Sequence, residues 1–169
     1  MPMPAQKPGR SKQDYQTPPA FLEAVKRRLH IKRFWCDLAA SKENNAAEWF
    51  YTEEDDALQQ CWNSEECGFF IPKFSAGEWG WLNPRFGHIE PWVEKAAKES
   101  WNGAYIAMLV PASVGANWWR TWVEPYAYQS YLNGRLTFVG MTTPYPKDCA
   151  LLLYTPWGFT GHEIWNWRS

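Results

Sequence analysis

The stretch "WLNPRFGH", residues 81–88, places Asn83 and Pro84 immediately after an apolar run and sets the ring of Phe86 two residues further on. The Asn83 side-chain amide offers a neutral acceptor in Oδ1. The Pro84 carbonyl offers a second, on a backbone whose φ the proline ring already fixes. Two acceptors converging at a strand end suit one chemistry in particular. The exocyclic amine of adenine is a poor nucleophile because its lone pair is delocalised into the ring. Gripping both of its hydrogens draws the nitrogen toward tetrahedral geometry and returns the lone pair to it. Phe86 would then stack on the face of a base swung out of its duplex. Asn83 is no general base, so such a site works by orientation and electrostatics, and the proton leaves late. The same residues also read as ordinary punctuation after a strand, and the stretch alone leaves both readings open.

The chain around this stretch has 169 residues, enough for one domain with a sizeable core. Its 46% hydrophobic and 21% charged content matches ordinary globular proteins, which argues against disorder. "AYIAMLVPA" is the longest apolar run and is too short to span a bilayer. With 17 basic and 18 acidic residues the chain is close to neutral, which argues against a strong non-specific polyanion binder. Within that balance, "KRRLHIKR" gathers Lys26, Arg27, Arg28, Lys32 and Arg33, readable as a solvated helix face or as a nucleic-acid contact. Cys36, Cys61, Cys67 and Cys149 form no CxxC pair and have no histidines at ligand spacing, so free thiols are expected rather than a zinc site. The opening "MPMPAQKPGRSKQD" is proline-rich, basic and polar. It reads as a disordered arm over residues 1–14, not a signal peptide, and leads to the expectation of an intracellular, cytoplasmic protein.

The elements that must position Asn83 follow from periodicity. "TPPAFLEAVKRRLH" predicts a helix, with Thr17 as its cap and Phe21, Leu22, Val25 and Leu29 along one stripe. "IKRFWCDLAAS" predicts a short strand stopping at Asp37, and "TEEDDALQQCW" a short helix capped by Thr52. Residues 63–80 read as an irregular loop with room for one strand. "IEPWVEKAAKES" and "NWWRTWVE" predict helices, whereas "AYIAMLVPA", "AYQSYLN", "RLTFVG" and "CALLLYT" predict strands. Alternating apolar strands and amphipathic helices imply an α/β sandwich with a largely parallel sheet, residues 15–169 forming one domain. Ligands in such sheets bind at the carboxyl ends of the strands, where Asp37 and Asn83 are both expected.

The ordered set "DYQTPPAFLEAV", "WCDLAASKENN", "FYTEEDDALQQCW", "WLNPRFGHIEPWVEKAAKE", "IAMLVPA", "NGRLTF" and "PYPKDCALLLY" resembles the phage-type DNA N6-adenine methyltransferases, the small Dam-like enzymes, from about residue 14 to 155. The resemblance implies a three-layer, Rossmann-like class I methyltransferase fold that uses S-adenosylmethionine as cofactor and double-stranded DNA as substrate. It makes Asn83, Pro84 and Phe86 the catalytic block, in the place of the family's "NPPY". "TPP" matches the segment closing over the methionine part of the cofactor, bringing in Thr17 and Pro18. "DLAAS" matches the first cofactor motif, with Asp37, Leu38, Ala39 and Ala40, and alanines where many methyltransferases carry glycines. "DDAL" matches the acidic block near the adenosyl group, which assigns Asp56 and Ala57 to the cofactor.

Three departures stand out. Arg85 replaces the family's second proline, which frees the Pro84 backbone at a cost of about 0.4–1 kcal/mol in rigidity. Arg85 is in turn a candidate for gripping a DNA phosphate. Phe86 in place of tyrosine keeps the ring and loses the hydroxyl. The 63–80 loop is longer than the family's usual link and is a candidate DNA contact. Arg135 reads as a DNA-backbone contact or a structural ion pair. Asp37 doubles as a plain turn cap, Asp55 answers a helix dipole, and Glu43, Asn44 and Asn45 reach a cofactor ribose or form a solvated turn. His88 reads as surface, and Trp118 and Trp119 as packing. A degenerate methyltransferase that only holds nucleic acid is the competing reading. A tryptophan-rich carbohydrate binder ranks last, because it gives no reason for the ordered blocks.

Overall fold

A computed structural model describes residues 15–62 and 77–169. The expected arm at 1–14, and the loop expected at 63–80 as far as residue 76, lie outside the described residues. The order is α1 (Pro19–Leu29), β1 (Cys36–Asp37), β2 (Trp49–Phe50), a 3-10 turn (Glu53–Asp55), β3 (Trp79–Leu82), α2 (Glu90–Trp101), β4 (Tyr105–Pro111), α3 (Asn117–Trp122), β5 (Ala127–Leu132), β6 (Cys149–Tyr154) and β7 (Gly161–Trp165). The strands form one mixed sheet in the order β2-β1-β3-β4-β6-β5-β7. β6 alone runs against its two neighbours, and every other pairing is parallel. Among the described residues no helix is long and apolar enough to cross a membrane.

β4 and β6 are buried at every position, because apolar residues fill both of their faces and each strand is flanked on both sides. On one face Leu82, Ile106, Met108, Val110 and Leu152 pack with Val93, Ala96 and Ala97 of α2 and Trp119 of α3. On the other, Trp81, Ala107, Leu109 and Leu151 pack with Phe21, Ala24 and Val25 of α1, whose spacing of three and four puts them on one stripe. Pro19 opens α1 where its missing N–H is harmless. His30 closes it in the left-handed conformation, donating its N–H to Lys26 and Arg27 carbonyls.

Four expectations need correction. Thr17 does not cap α1; Pro18 occupies the cap position with no side-chain hydrogen bond, and the Thr17 hydroxyl is used elsewhere. The helix expected over "TEEDDALQQCW" stops after one 3-10 turn. Its capping box forms, but none of its residues is buried, so no packing propagates it, and Asp56 turns left-handed at φ 47°. "RLTFVG" is not a strand. Leu136 and Phe138 do alternate into the core, yet the local N–H groups go out of any ladder, Val139 to the Gln16 carbonyl at 3.1 Å and Tyr145 to the Leu136 carbonyl at 2.7 Å. Cys36 and Cys149 are free, as expected, but Cys61 is disulfide-bonded, since spacings that exclude a metal motif do not exclude a bridge. β7 was not anticipated, its "GHEIW" being too polar to show a strand period.

Asp37 ends β1 and is only 5% exposed. Its two carboxylate oxygens accept the backbone N–H groups of Ala39 at 3.2 Å and Ala46 at 2.8 Å, closing the loop that follows. Burial raises its pKa to about 6, outweighing the two hydrogen bonds that favour the charged form. The folded state therefore holds a proton that the unfolded chain has released. The contribution is fully present below about pH 3.8 and is lost as pH rises to about 6. Relative to Asp37→Asn, wild type should lose up to roughly 3 kcal/mol of unfolding free energy across that window. Urea unfolding of both proteins at a series of pH values measures this, and a constant difference between them would remove Asp37 as the cause.

Candidate functional site

Asn83 is the first residue beyond β3. Asp37 is in register with Trp81 across the parallel pair of β1 and β3, and side chains two apart share a sheet face. Asp37, Trp81 and Asn83 therefore face the same side, the side that α1 covers. There the chain entering α1 forms a strap over the strand end. Asn83 Nδ2 donates to the Tyr15 carbonyl at 2.7 Å and to the Thr17 hydroxyl at 2.9 Å. A backbone carbonyl can only accept, so the amide nitrogen must face the strap and Oδ1 must face away from it. Oδ1 is buried and, among the described residues, has no hydrogen-bond partner. Buried acceptors are rarely left in this state, and each costs about 1–3 kcal/mol.

Pro84 is buried beside this acceptor, and Phe86 is half-buried. Phe86 lies among rings: its centroid is 5.4 Å from Tyr145, 5.7 Å from Tyr15 and 5.9 Å from Phe138. Tyr15 stacks on Phe138 at 4.9 Å and meets Tyr145 edge-on at 5.6 Å. Burial beside Cys149 and Tyr15 pushes the Tyr145 phenol up to about 12, so it stays protonated at neutral pH. Arg85 pairs with Glu53 at 3.3 Å, tying the turn after β3 to the 3-10 turn. Both partners are exposed.

The other residues singled out in the sequence line the same carboxyl edge. Leu38 N–H donates to the Trp81 carbonyl, Ala40 N–H to the Tyr51 carbonyl, and Tyr51 N–H to the Asp37 carbonyl, all at 2.8–2.9 Å. Residues 37–40 thus sit between β3 and the segment that leads into the 3-10 turn. Thr17 is 5% exposed, Leu38 and Ala57 are buried, and Pro18, Ala39 and Ala40 are at or near the surface. Asp55 is consumed by Thr52, accepting from its N–H at 2.7 Å and its hydroxyl at 2.8 Å. Asp56 is exposed, and among the described residues its carboxylate has no partner. The structure so brings Thr17, Pro18, Asp37–Ala40, Asp56–Ala57 and Asn83–Phe86 to one edge of three adjacent strands.

Other candidates fall elsewhere. Arg135 forms an exposed ion pair with Asp148 at 3.2 Å, the structural alternative for that residue. Ser41, Asn44 and Asn45 close a turn on themselves, and His88 is exposed. Trp119 is core and donates to Gln129 at 3.3 Å, and Trp118 packs against the same core. Sequence reasoning missed Tyr15, Phe138 and Tyr145. Each lies in one of the blocks that carried the resemblance, "DYQTPP", "NGRLTF" and "PYPKD", and that was the available signal.

The family model described as DNA N-6-adenine-methyltransferase (Dam) matches residues 5–151. A DNA N-6-adenine-methyltransferase of Escherichia phage T1 is 30% identical over 82 residues, 48% of this chain and 29% of that protein. The matched stretch thus spans less than a third of that relative's length. No solved structure matches the chain. With the family model covering most of the chain, this protein belongs to the DNA N-6-adenine-methyltransferase (Dam) family.

Proposed function

We propose that the protein transfers a methyl group from S-adenosylmethionine to N6 of an adenine swung out of double-stranded DNA, in a host cell's cytoplasm. We read the sheet, with α1 on one face and α2 and α3 on the other, as a three-layer, Rossmann-like class I methyltransferase. The observation that carries the proposal is the Asn83 amide. Its nitrogen is committed to the strap, and its oxygen is buried, fixed in direction and without a partner among the described residues. A site built to grip an amino group needs an acceptor of this kind, and a binding-only module has no use for it.

Asn83 Oδ1 and the Pro84 carbonyl accept the two N6 hydrogens, localising the lone pair on nitrogen. The cofactor, when bound, supplies an electrophilic methyl on a sulfonium. Methyl would pass from sulfur to N6 with the sulfur–carbon bond breaking, and the surplus N6 proton would leave to water, because neither Asn83 Oδ1 nor the Pro84 carbonyl is basic enough to take it. Phe86 and the rings around it form the apolar wall against which the base lies. Residues of the carboxyl edge fit the cofactor. Asp56, exposed and without a partner among the described residues, would accept from an adenosine amine. Thr17 and Pro18 would cover the methionine end, and the small side chains of Ala39 and Ala40 would let the cofactor approach the backbone closely. Asp37 contributes indirectly, by holding the 38–46 loop through Ala39 and Ala46. Arg85 and Arg135, both in exposed pairs, exchange a carboxylate for a DNA phosphate at little cost.

Two measurements test this. With tritiated cofactor and unmethylated duplex, Asn83→Ala should lose at least about 100-fold in transfer rate. Calorimetry should show that cofactor affinity persists. Comparable transfer by the variant would withdraw Asn83 from catalysis. Thr17→Val removes one of the two anchors of Nδ2 and should lower kcat roughly 2–10-fold with little change in KM for DNA, while Thr17→Ser retains the rate. A Val variant as active as the Ser variant would show that the hydroxyl does not position the amide.

A further inference from the structure

A second cluster on the α1 face has no part in the site above. A cavity of about 340 Å³ opens between the last turns of α1 and the segment after β7, lined by Arg27, Arg28, His30, Trp165 and Trp167 among others. The Arg28 guanidinium lies 4.8 Å over the Trp165 ring and is held by Glu163 and, at 3.3 Å, by the Ser130 hydroxyl. Its Nε remains buried without a partner among the described residues. Trp167 is 8% exposed, wedged edge-on against Phe21 at 5.2 Å with Arg168 4.2 Å over its ring, and its Nε1–H likewise has no acceptor among the described residues. Among the described residues, the Arg27 guanidinium has no ion-pair or hydrogen-bond partner.

The unmet groups of Arg27, Arg28 and Trp167 are all donors, and among the described residues no acidic side chain lines the cavity, Glu163 reaching Arg28 alone of the arginines. Such a set asks for an anion that only accepts. At about 30 Å³ per water the cavity holds roughly ten, more than a lone oxyanion needs. It suits a phosphate with the adjoining sugar or base laid on an indole. Arg27 lies eight residues beyond Pro19, about 12 Å along the helix, and the strap that holds Asn83 leads directly into that helix.

We propose that this pocket holds a backbone phosphate of the DNA flanking the adenine gripped by Asn83. The inference rests on the proposed function. Its test measures binding of an adenine-containing duplex by the full chain over a range of salt. Arg27→Gln should reduce the slope of log affinity against log salt by about one and weaken binding severalfold at moderate salt. Trp167→Phe, which keeps a ring and removes the N–H, should weaken binding roughly 2–10-fold. Lys98→Gln removes the same charge from α2, on the opposite face, and should change neither binding nor transfer. If Arg27→Gln behaves like Lys98→Gln while wild type methylates DNA, the pocket proposal falls and the enzyme reading stands. If wild type neither binds nor methylates duplex, both fall. Free deoxyadenosine monophosphate at millimolar concentration should not displace the duplex. Displacement that depends on Arg27 would assign the pocket to a free nucleotide and overturn the backbone assignment.

Discussion

Two hydrogen bonds from the Asn83 Nδ2, to the Tyr15 carbonyl and the Thr17 hydroxyl, bind together parts of the chain that are 66 and more residues apart. They fix which end of the amide faces inward, and they make the strap part of the strand end. The strap is secured in turn. Gln16 accepts the Val139 N–H, and the Tyr15 ring stacks on Phe138. Loss of either anchor frees the amide to rotate and its oxygen to find another donor. The unmet acceptor survives because the surrounding hydrogen bonds and ring contacts exceed its cost of about 1–3 kcal/mol.

The sheet explains why these groups meet where they do. β4 and β6 place apolar side chains on both faces, so polar residues are displaced to the strand ends. Parallel pairing of β2, β1, β3 and β4 brings four such ends to one edge, and register sets Asp37 and Asn83 on a single face of it. Asp37 shows what that placement costs. Its carboxylate is buried deeply enough for desolvation to outweigh two backbone hydrogen bonds, yet those bonds are what closes the loop beside β3. The loop's shape is thus held at the expense of a strained ionisation.

Much of this architecture was legible in the residues. Long apolar runs such as "AYIAMLVPA" and "CALLLYT" have few alternatives to central strands, and the α1 stripe of Phe21 and Val25 has none but a helix against a sheet. The edge itself was visible because Asp37 and Asn83 each follow an apolar run. What failed did so where local pattern and tertiary demand diverge. Leu136 and Phe138 alternate like a strand, but their backbone serves the strap and a turn. Thr17 looks like a cap by position, and its hydroxyl is drawn instead to a residue 66 positions away. The ring cluster was hidden for the same reason, since Tyr15, Phe86, Phe138 and Tyr145 converge only through long-range packing.

The arginine at position 85 remains to be weighed. Losing a second proline after Pro84 relaxes the turn by about 0.4–1 kcal/mol. The Arg85–Glu53 pair restores a link between that turn and its neighbour, but both partners are exposed, and such pairs contribute about 0–1 kcal/mol. The two effects are of one size and opposite sign, so neither decides the geometry of the acceptors. The decision passes to the contacts that are out of solvent: the two bonds on Nδ2, the burial of Pro84, and the ring packing on Phe86. A substitution that looks disruptive in the motif is therefore tolerable in the fold, because this chain fixes its acceptor from the strap side instead of from the residue that follows.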